Sequence, residues 1–177
     1  MDFPFGDKPI RLGILGMTEG NAHPFSWSAI INGYDKEEMY RWTHELYPTI
    51  PDYLGKQPAE TFGIPGAKIT CICCTGYAER EEAEHMARAA LIPTVYDRPE
   101  EMIGKVDAVI VATDDGNEHV DRCRPFVEAG IPMFIDKPIT VTTYVGDVFP
   151  VGETVDVYHD EELVASVIVD ANGYITY

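Results

Sequence analysis

A strand–helix–strand pattern in the second half of the chain is the feature that most constrains its fold. Residues 106–138 read VDAVIVATDDGNEHVDRCRPFVEAGIPMFIDKP. An apolar run is followed by a polar turn, by an amphipathic segment that ends at Gly130, and by a second apolar run. Parallel strands need a long crossover connection of this kind, and that connection is usually helical. The segment therefore predicts a βαβ unit in an α/β protein.

The second apolar run ends in a charged pair, Asp136 and Lys137, followed by Pro138. Open α/β sheets bind their ligands at the carboxyl ends of the strands, so these side chains are expected beside a binding crevice. A salt bridge between Asp136 and Lys137 that merely closes the strand end is the structural alternative. The sequence leaves both interpretations open.

The chain begins with a second strand-to-helix pattern. An apolar strand is expected over residues 10–15, closing on Gly16. The helix that follows is expected to bury residues spaced i, i+3, i+4 and i+7, namely Trp27, Ile30, Ile31 and Tyr34. Asn21 or His23 is placed to cap this helix, and Gly33 lies near its end.

The turn between this first strand and helix is where dinucleotide-binding folds hold a pyrophosphate. Backbone N–H groups and the positive end of the helix dipole both favour an anion there. Counted from Gly16, the GxGxxG pattern requires glycine at two positions where the chain has Thr18 and Asn21. The turn is therefore compatible with a pyrophosphate site and equally with an ordinary strand-to-helix connection.

Residues 35–66 form an insertion before the second strand. A short helix is expected over residues 39–47, and residues 48–66, with four prolines and three glycines, are expected to be a loop rather than regular structure. The aromatic residues of this insertion suit a lid over a ligand crevice, and equally a cover for the sheet edge or a subunit contact.

The second strand is expected over residues 67–75 and its helix over residues 79–91. The residues predicted to share the buried face of this helix are Ala83, Met86, Ala87, Ala90 and Leu91. NAD-binding folds usually end this strand with an acid that binds the adenosine ribose, but Cys74 stands near that place. Arg80 suits either the 2′-phosphate of NADP or an exposed helix surface. The CICC run is interpreted as buried strand cysteines, with a metal or redox site as the alternative.

The remaining pattern completes the sheet and adds a different C-terminal segment. A short strand is expected over residues 94–96 and a helical turn over residues 99–103. In the helix of the βαβ unit, Val120, Cys123 and Val127 are predicted to share a face. Right-handed crossovers then give a doubly wound parallel sheet of the Rossmann type with strand order 3-2-1-4-5.

Residues 141–177 alternate apolar and polar side chains between turn signals, which predicts three or four antiparallel strands. We therefore expect two parts, residues 1–140 as the Rossmann-type domain and residues 141–177 as a short β-rich tail. Short strands of this kind are marginally stable alone and need to pack on the rest of the chain or on another subunit.

Charge and hydropathy exclude several classes of partner. The chain of 177 residues carries 30 acidic and 13 basic side chains, a formal charge of -17. Nucleic acids and anionic membranes are therefore not expected partners. The N-terminus has no apolar signal-peptide core and no apolar run is long enough to span a bilayer, so a cytoplasmic protein is expected.

Three segments in order resemble the Gfo/Idh/MocA family of NAD(P)-dependent oxidoreductases. They are RLGILGMTEGNAH at the start, VDAVIVATDDGNEHVDRCRPFVEAG in the fourth strand and its helix, and IPMFIDKP, where the family usually has a Glu-Lys-Pro or Asp-Lys-Pro motif. The resemblance covers about residues 10–140.

The resemblance implies NAD or NADP lying across the carboxyl ends of the first and fourth strands. It places Gly16, Thr18 and Asn21 near the pyrophosphate and Thr113 and Asp115 near the nicotinamide. Lys137 would approach both the nicotinamide and the hydroxyl of a substrate. The implied reaction is hydride transfer between the nicotinamide and a sugar-like or polyol alcohol, with the Lys137 ammonium hydrogen-bonding the alcohol oxygen.

The chain departs from the family pattern after Thr140. Family members carry a large second domain that binds the substrate, whereas 37 residues follow here. The pair His159 and Asp160 is the one nearby candidate for acid–base chemistry, and a solvent-exposed turn explains it equally simply. A non-catalytic nucleotide-binding or oligomerisation module, paired through the C-terminal β segment, is therefore the alternative to an enzyme.

Overall fold

The predicted parallel sheet is present with the predicted strand order. The computed structural model of the protein describes residues 8–16, 21–45, 47–74, 80–113, 116–136, 142–159 and 162–177. Its central strands are β1 (Ile10–Gly16), β2 (Ala67–Cys74), β3 (Thr94–Tyr96), β4 (Ala108–Val111) and β5 (Met133–Ile135). All neighbours are parallel and the order is β3-β2-β1-β4-β5. The order reverses at β1, and such a reversal forms a crevice at the carboxyl ends of the strands.

Helices cover both faces of this sheet. In the described part of the chain they are α1 (His23–Asn32), α2 (Lys36–Thr43), α3 (Thr49–Gly55), α4 (Arg80–Ala89) and α5 (Gly116–Glu128), with 3₁₀ turns at Ala59–Thr61 and Pro99–Met102. One core cluster joins the first four helices to one face, and a second joins α5 to the other. None of these helices is long and apolar enough to cross a membrane.

The cysteines of β2 alternate between the two faces, as predicted. Cys71 and Cys73 are buried in the cluster under α5, whereas Cys74 is half-buried against the opposite cluster. All of them are free thiols. Within the described residues, no three His, Cys, Asp or Glu side chains come together as a possible metal site. The cysteines therefore contribute apolar packing to both cores.

The buried face of α1 differs from the prediction. Phe25, Ser28 and Ala29 are buried, whereas the predicted face, which begins at Trp27, is only partly covered. Helical spacing fits both faces, and the smaller side chains let α1 approach the sheet more closely. The predicted face instead borders an apolar groove of about 410 Å³, lined by Trp27, Ile30, Ile31, Ile64, Ile110 and Phe134.

The insertion at residues 35–66 contains more regular structure than predicted. Its first helix is α2, which Asp35 caps by accepting the N–H groups of Glu37 and Glu38. The expected loop contains α3, because Ile50 and Leu54 are both buried and proline is tolerated in a first helical turn. Both side chains join the core cluster under α4, so the insertion covers the sheet.

The predicted helix at residues 79–91 ends earlier than expected. Ala83, Met86 and Ala87 are buried as predicted, but α4 stops at Ala89 and Leu91 is exposed. Leu91 has a φ of 55°, the left-handed conformation that ends many helices, and the N–H of Ile92 donates to the carbonyl of Ala87 at 2.8 Å. Ile92 consequently takes the core position expected for Leu91.

The predicted face of α5 is only partly right. Cys123 is buried as predicted, but Val120 and Val127 are exposed, and the other large side chains that α5 buries include His119 and Phe126. His119, Cys123 and Phe126 also follow the spacing i, i+4, i+7, and burying the large Phe126 ring removes more apolar surface from water than burying a valine. The burial of Phe126 therefore determines which face of α5 packs against the sheet.

The C-terminal segment forms antiparallel strands, as predicted. β6 (Thr142–Tyr144) pairs with β9 (Tyr174–Thr176), and β7 (Thr154–His159) pairs with β8 (Glu162–Ile168). Val155, Val169 and Ile175 form a core cluster separate from the two clusters of the parallel sheet. The tail thus has its own small apolar centre.

Candidate functional site

The carboxyl ends of β1, β4 and β5 meet at one edge of the sheet. The N–H of Ala112 donates to the carbonyl of Leu15 at 2.7 Å, and the N–H of Asp136 donates to that of Val111 at 2.9 Å. These bonds extend the strand pairing by one residue into the segments that leave the sheet. Backbone hydrogen bonds therefore fix the relative positions of the strand ends at this edge.

Gly16 allows α1 to begin directly against the end of β1. A Cβ atom at Gly16 would lie 2.7 Å from Cγ of Pro24, closer than side chains pack. The N-cap residue is Ala22, which makes no side-chain cap, and the first turn contains no acidic residue. The positive end of the α1 dipole is therefore not neutralised by a side chain of that turn, which suits a phosphate group.

Asn21 ties the loop before α1 to the end of β4. Its buried side-chain amide donates to the carbonyl of Ala112 at 2.6 Å, and its Oδ1 accepts the N–H of His23 at 2.9 Å. Asn21 therefore satisfies the first N–H of α1, the role that the sequence predicted for it or for His23. Its contacts fix the position of the helix terminus relative to the strand ends.

His23 contacts Asp136 across the same edge. Nδ1 of His23 lies 2.5 Å from Oδ2 of Asp136, whose carboxylate is nearly buried while the imidazole is half-exposed. The imidazole also stacks on Trp27, with ring centroids 4.7 Å apart and an interplanar angle of 10°. The residue before Lys137 is thus linked to the first turn of α1.

Thr113 connects the end of β4 to α5. Nε2 of the fully buried His119 lies 2.8 Å from both the carbonyl oxygen and the hydroxyl of Thr113. Because a carbonyl only accepts, this geometry favours the tautomer protonated at Nε2. The Thr113 side chain is itself buried, so its observed contact is with His119.

The remaining predicted site residues lie outside the described part of the chain. These are Thr18, Asp115 and Lys137, together with Asp160; the side chain of His159 is likewise not described. The alternative of an Asp136–Lys137 salt bridge therefore stays a prediction. Of the six predicted site residues, Gly16, Asn21 and Thr113 are placed, and all three lie at the carboxyl edge of the sheet.

The far end of the same edge carries a charged cluster. Arg80, the first residue of α4, contacts the carboxylate of Asp97 and lies 2.9 Å from Oε1 of Glu84. These hydrogen bonds raise the pKa of the guanidinium, with Asp97 the largest cause. Cys74 ends β2, and burial raises the pKa of its thiol to about 12, with a smaller contribution from Glu82. The thiol at the strand end is therefore neutral.

The pairing of His23 with Asp136 was not predicted from the sequence. The two residues are 113 positions apart, so no local periodicity connects them. One signal was available: the segments after the first and fifth strands both leave the carboxyl edge of a doubly wound sheet. A histidine and an acid at those two places are candidates for a contact.

The reversal of strand order at β1, the close approach at Gly16 and a first turn of α1 without acidic residues define a Rossmann-type nucleotide-binding domain. Residues 50–157 match the Gfo/Idh/MocA family, described as an oxidoreductase family with an NAD-binding Rossmann fold. The chain belongs to this family. No curated protein matches the sequence.

Solved structures similar to this chain include three structures of inositol dehydrogenases from lactobacilli. They are apo scyllo-inositol dehydrogenase from Lactobacillus casei (16% identity, TM-score 0.47), myo-inositol 2-dehydrogenase from Lactobacillus plantarum (16%, 0.46) and the L. casei enzyme with NAD(H) and scyllo-inositol (17%, 0.46). Each covers 75% of this chain, and this chain covers 30%, 29% and 29% of theirs, respectively. The chain thus spans less than a third of the length of these enzymes.

Proposed function

We propose that this chain binds NAD or NADP across the carboxyl ends of β1 and β4 and serves hydride transfer between the nicotinamide and a sugar-like or polyol alcohol. The observation that carries this proposal is the start of α1, where Gly16 permits close packing and the first turn contains no acidic residue. Residues near the pyrophosphate are Gly16, Thr18 and Asn21, and those on the nicotinamide side are Thr113 and Asp115.

Lys137 is proposed as the catalytic residue. When bound, the nicotinamide accepts a hydride from the carbon that carries the alcohol. In the reverse, reducing direction the Lys137 ammonium hydrogen-bonds the carbonyl oxygen, stabilises the negative charge that develops on it and supplies the hydroxyl proton; in the oxidising direction the Lys137 amine takes that proton from the alcohol. Its neighbour Asp136 is held by His23, so the strand end that precedes Lys137 has a fixed position.

Calorimetric titration with NADH and NADPH, combined with an assay for nicotinamide reduction over a panel of polyols, tests this function. Lys137→Ala is expected to retain nucleotide binding and to lose turnover, because the lysine acts on the substrate oxygen. Equal turnover by Lys137→Ala and the parent protein would contradict the role of Lys137. Absence of binding by both nucleotides would contradict the function itself.

The tail supports a second candidate, a nucleotide-binding module that assembles through residues 141–177. Its hairpin exposes the apolar side chains Tyr158, Leu163, Val164 and Ile168. A patch of this kind on paired strands suits contact with a second copy of the chain. Light scattering on the parent and on Leu163→Lys tests this: an oligomer that the variant dissociates supports the module, and a monomeric parent contradicts it.

The division at residue 140 and the cytoplasmic location belong to the same proposal. The separate core cluster of the tail supports the division. The free thiols of β2 and α5 support a reducing compartment, because disulfides form and persist mainly in oxidising ones.

A further inference from the structure

We propose that the Arg80–Asp97 ion pair makes this chain select NAD over NADP. The proposal rests on the proposed function and assigns a role to residues outside the pyrophosphate turn. It concerns the part of the sheet edge where Rossmann-type folds place the adenosine ribose, next to the end of β2.

The strand that usually supplies the acid for the ribose does not supply one here. β2 ends at Cys74, a neutral thiol that cannot act as a strong anionic acceptor. The neighbouring strand supplies a carboxylate instead. Cys73 pairs with Tyr96 in the parallel register of β2 and β3, so Asp97 leaves the sheet at the level of Cys74.

Asp97 is held in place from two directions. Its backbone N–H donates to Oε2 of Glu101 at 3.1 Å, and the backbone N–H of Arg98 donates to the same oxygen at 2.9 Å. Its side chain contacts Arg80. The position of the carboxylate is therefore set by both the 3₁₀ turn after β3 and the start of α4.

Arg80 is the residue that would otherwise receive the 2′-phosphate of NADP. Its guanidinium already binds the carboxylates of Asp97 and Glu84. A single exposed ion pair is weak, so the pair alone would yield to a phosphate. Neighbouring charges increase the repulsion of a phosphate. Residues 80–84 and 97–101 together contain six carboxylates and two arginines.

A phosphate dianion placed in this cluster would have to compete for Arg80 and would also be repelled by the surplus carboxylates. The 2′-hydroxyl of NAD carries no charge and can donate a hydrogen bond to a carboxylate. The cluster therefore opposes the 2′-phosphate of NADP and accepts the 2′-hydroxyl of NAD. Because both effects are electrostatic at an exposed site, added salt should weaken the selection.

Calorimetric titration of the full chain with NADH and with NADPH tests the proposal. The parent is expected to bind NADH at least about tenfold more tightly, and the ratio should shrink at high ionic strength. Asp97→Asn frees Arg80, removes a repelling charge and weakens the acceptor for the 2′-hydroxyl, so it should shift the ratio of NADH to NADPH affinity toward NADPH about fivefold or more. Asp121→Asn, which changes an exposed aspartate paired with Arg124 on α5, is the matched control and should leave the ratio unchanged.

Arg80→Ala tests whether Arg80 is bound by Asp97 or is available to the 2′-phosphate of NADP. If Arg80 is engaged by Asp97, its removal leaves the preference for NADH in place. A parent that binds NADPH as tightly as NADH, or Asp97→Asn with an unchanged ratio, overturns the proposal while leaving the proposed function intact. Absence of saturable binding by both nucleotides overturns the proposed function and this inference together.

Discussion

Nδ1 of His23 lies 2.5 Å from Oδ2 of Asp136, and this contact joins the first residue of α1 to the residue that follows β5. Asp136 is nearly buried and immediately precedes Lys137. The contact therefore links the helix start proposed to hold the pyrophosphate with the strand end proposed to carry the catalytic lysine. One hydrogen bond couples the two halves of the site.

Replacing His23 should destabilise the protein through Asp136. His23→Gln removes the contact between the imidazole and a nearly buried carboxylate, and the expected loss is about 1–3 kcal/mol in the free energy of unfolding. Urea denaturation measures it. His44→Gln is the control, because His44 is half-exposed and its contacts among the described residues are with Tyr40 and Glu45. Equal losses in the two variants would show that the contact with Asp136 contributes nothing.

Gly16→Ala should both destabilise the protein and weaken nucleotide binding. The new methyl group would lie 2.7 Å from Cγ of Pro24, which forces α1 away from β1. Overpacking of this kind costs about 1–3 kcal/mol. Gly55→Ala is the control, since nothing lies within 4 Å of a Cβ there. The account is contradicted if Gly16→Ala is as stable as Gly55→Ala and binds NADH as the parent does.

Asn21→Ala should release the loop before α1 from the end of β4. The variant loses a donor to the Ala112 carbonyl and an acceptor for the His23 N–H, and each buried bond is worth about 1 kcal/mol or more. Calorimetry should also show weaker NADH binding, because the helix terminus is no longer fixed. Asn172→Ala, in an exposed turn of the tail, is the control and should change neither quantity.

The buried thiols of β2 should make the protein less stable at alkaline pH. Burial raises the pKa of Cys71 from an ordinary value of 9.0 to about 11, and raises that of Cys73 to about 12. The folded state thus holds these protons more tightly than the unfolded state. Their contribution to stability is complete below pH 9 and declines as the pH rises toward about 11–12.

Free energies of unfolding, measured by urea denaturation from neutral pH to about 10, test this linkage. Cys73→Ala should lose part of the alkaline decline that the parent shows, because one proton-binding group is gone. An identical decline in both proteins would mean that the thiol does not contribute.

The sequence was sufficient for the order of the sheet because each crossover could be read from alternating apolar runs and helical spacing. The sequence did not determine which face of each helix packs against the sheet. In α5, the sets beginning at Val120 and at His119 both have helical spacing, and packing of Phe126 decides between them. In α3, Pro51 suggested a loop, but it occupies the first turn, where a missing N–H costs little.

The site was predictable only where it depends on chain order. Gly16, Asn21 and Thr113 follow strand ends, so the fold alone brings them to one edge. The contacts of His23 with Asp136 and of Arg80 with Asp97 join residues from different crossover units, and their side-chain positions depend on packing. No spacing rule in the sequence specifies such pairs.

NADH titration monitored by tryptophan emission tests the central claim most directly. Trp27 stacks on His23 at the start of α1, whereas Trp42 lies on α2 against His85. A nicotinamide at the carboxyl edge should quench Trp27 by energy transfer, with saturation below about 1 mM. We predict that Trp27→Phe loses more of the saturable signal than Trp42→Phe. No saturable change in the parent, or a signal that depends on Trp42 alone, would contradict it.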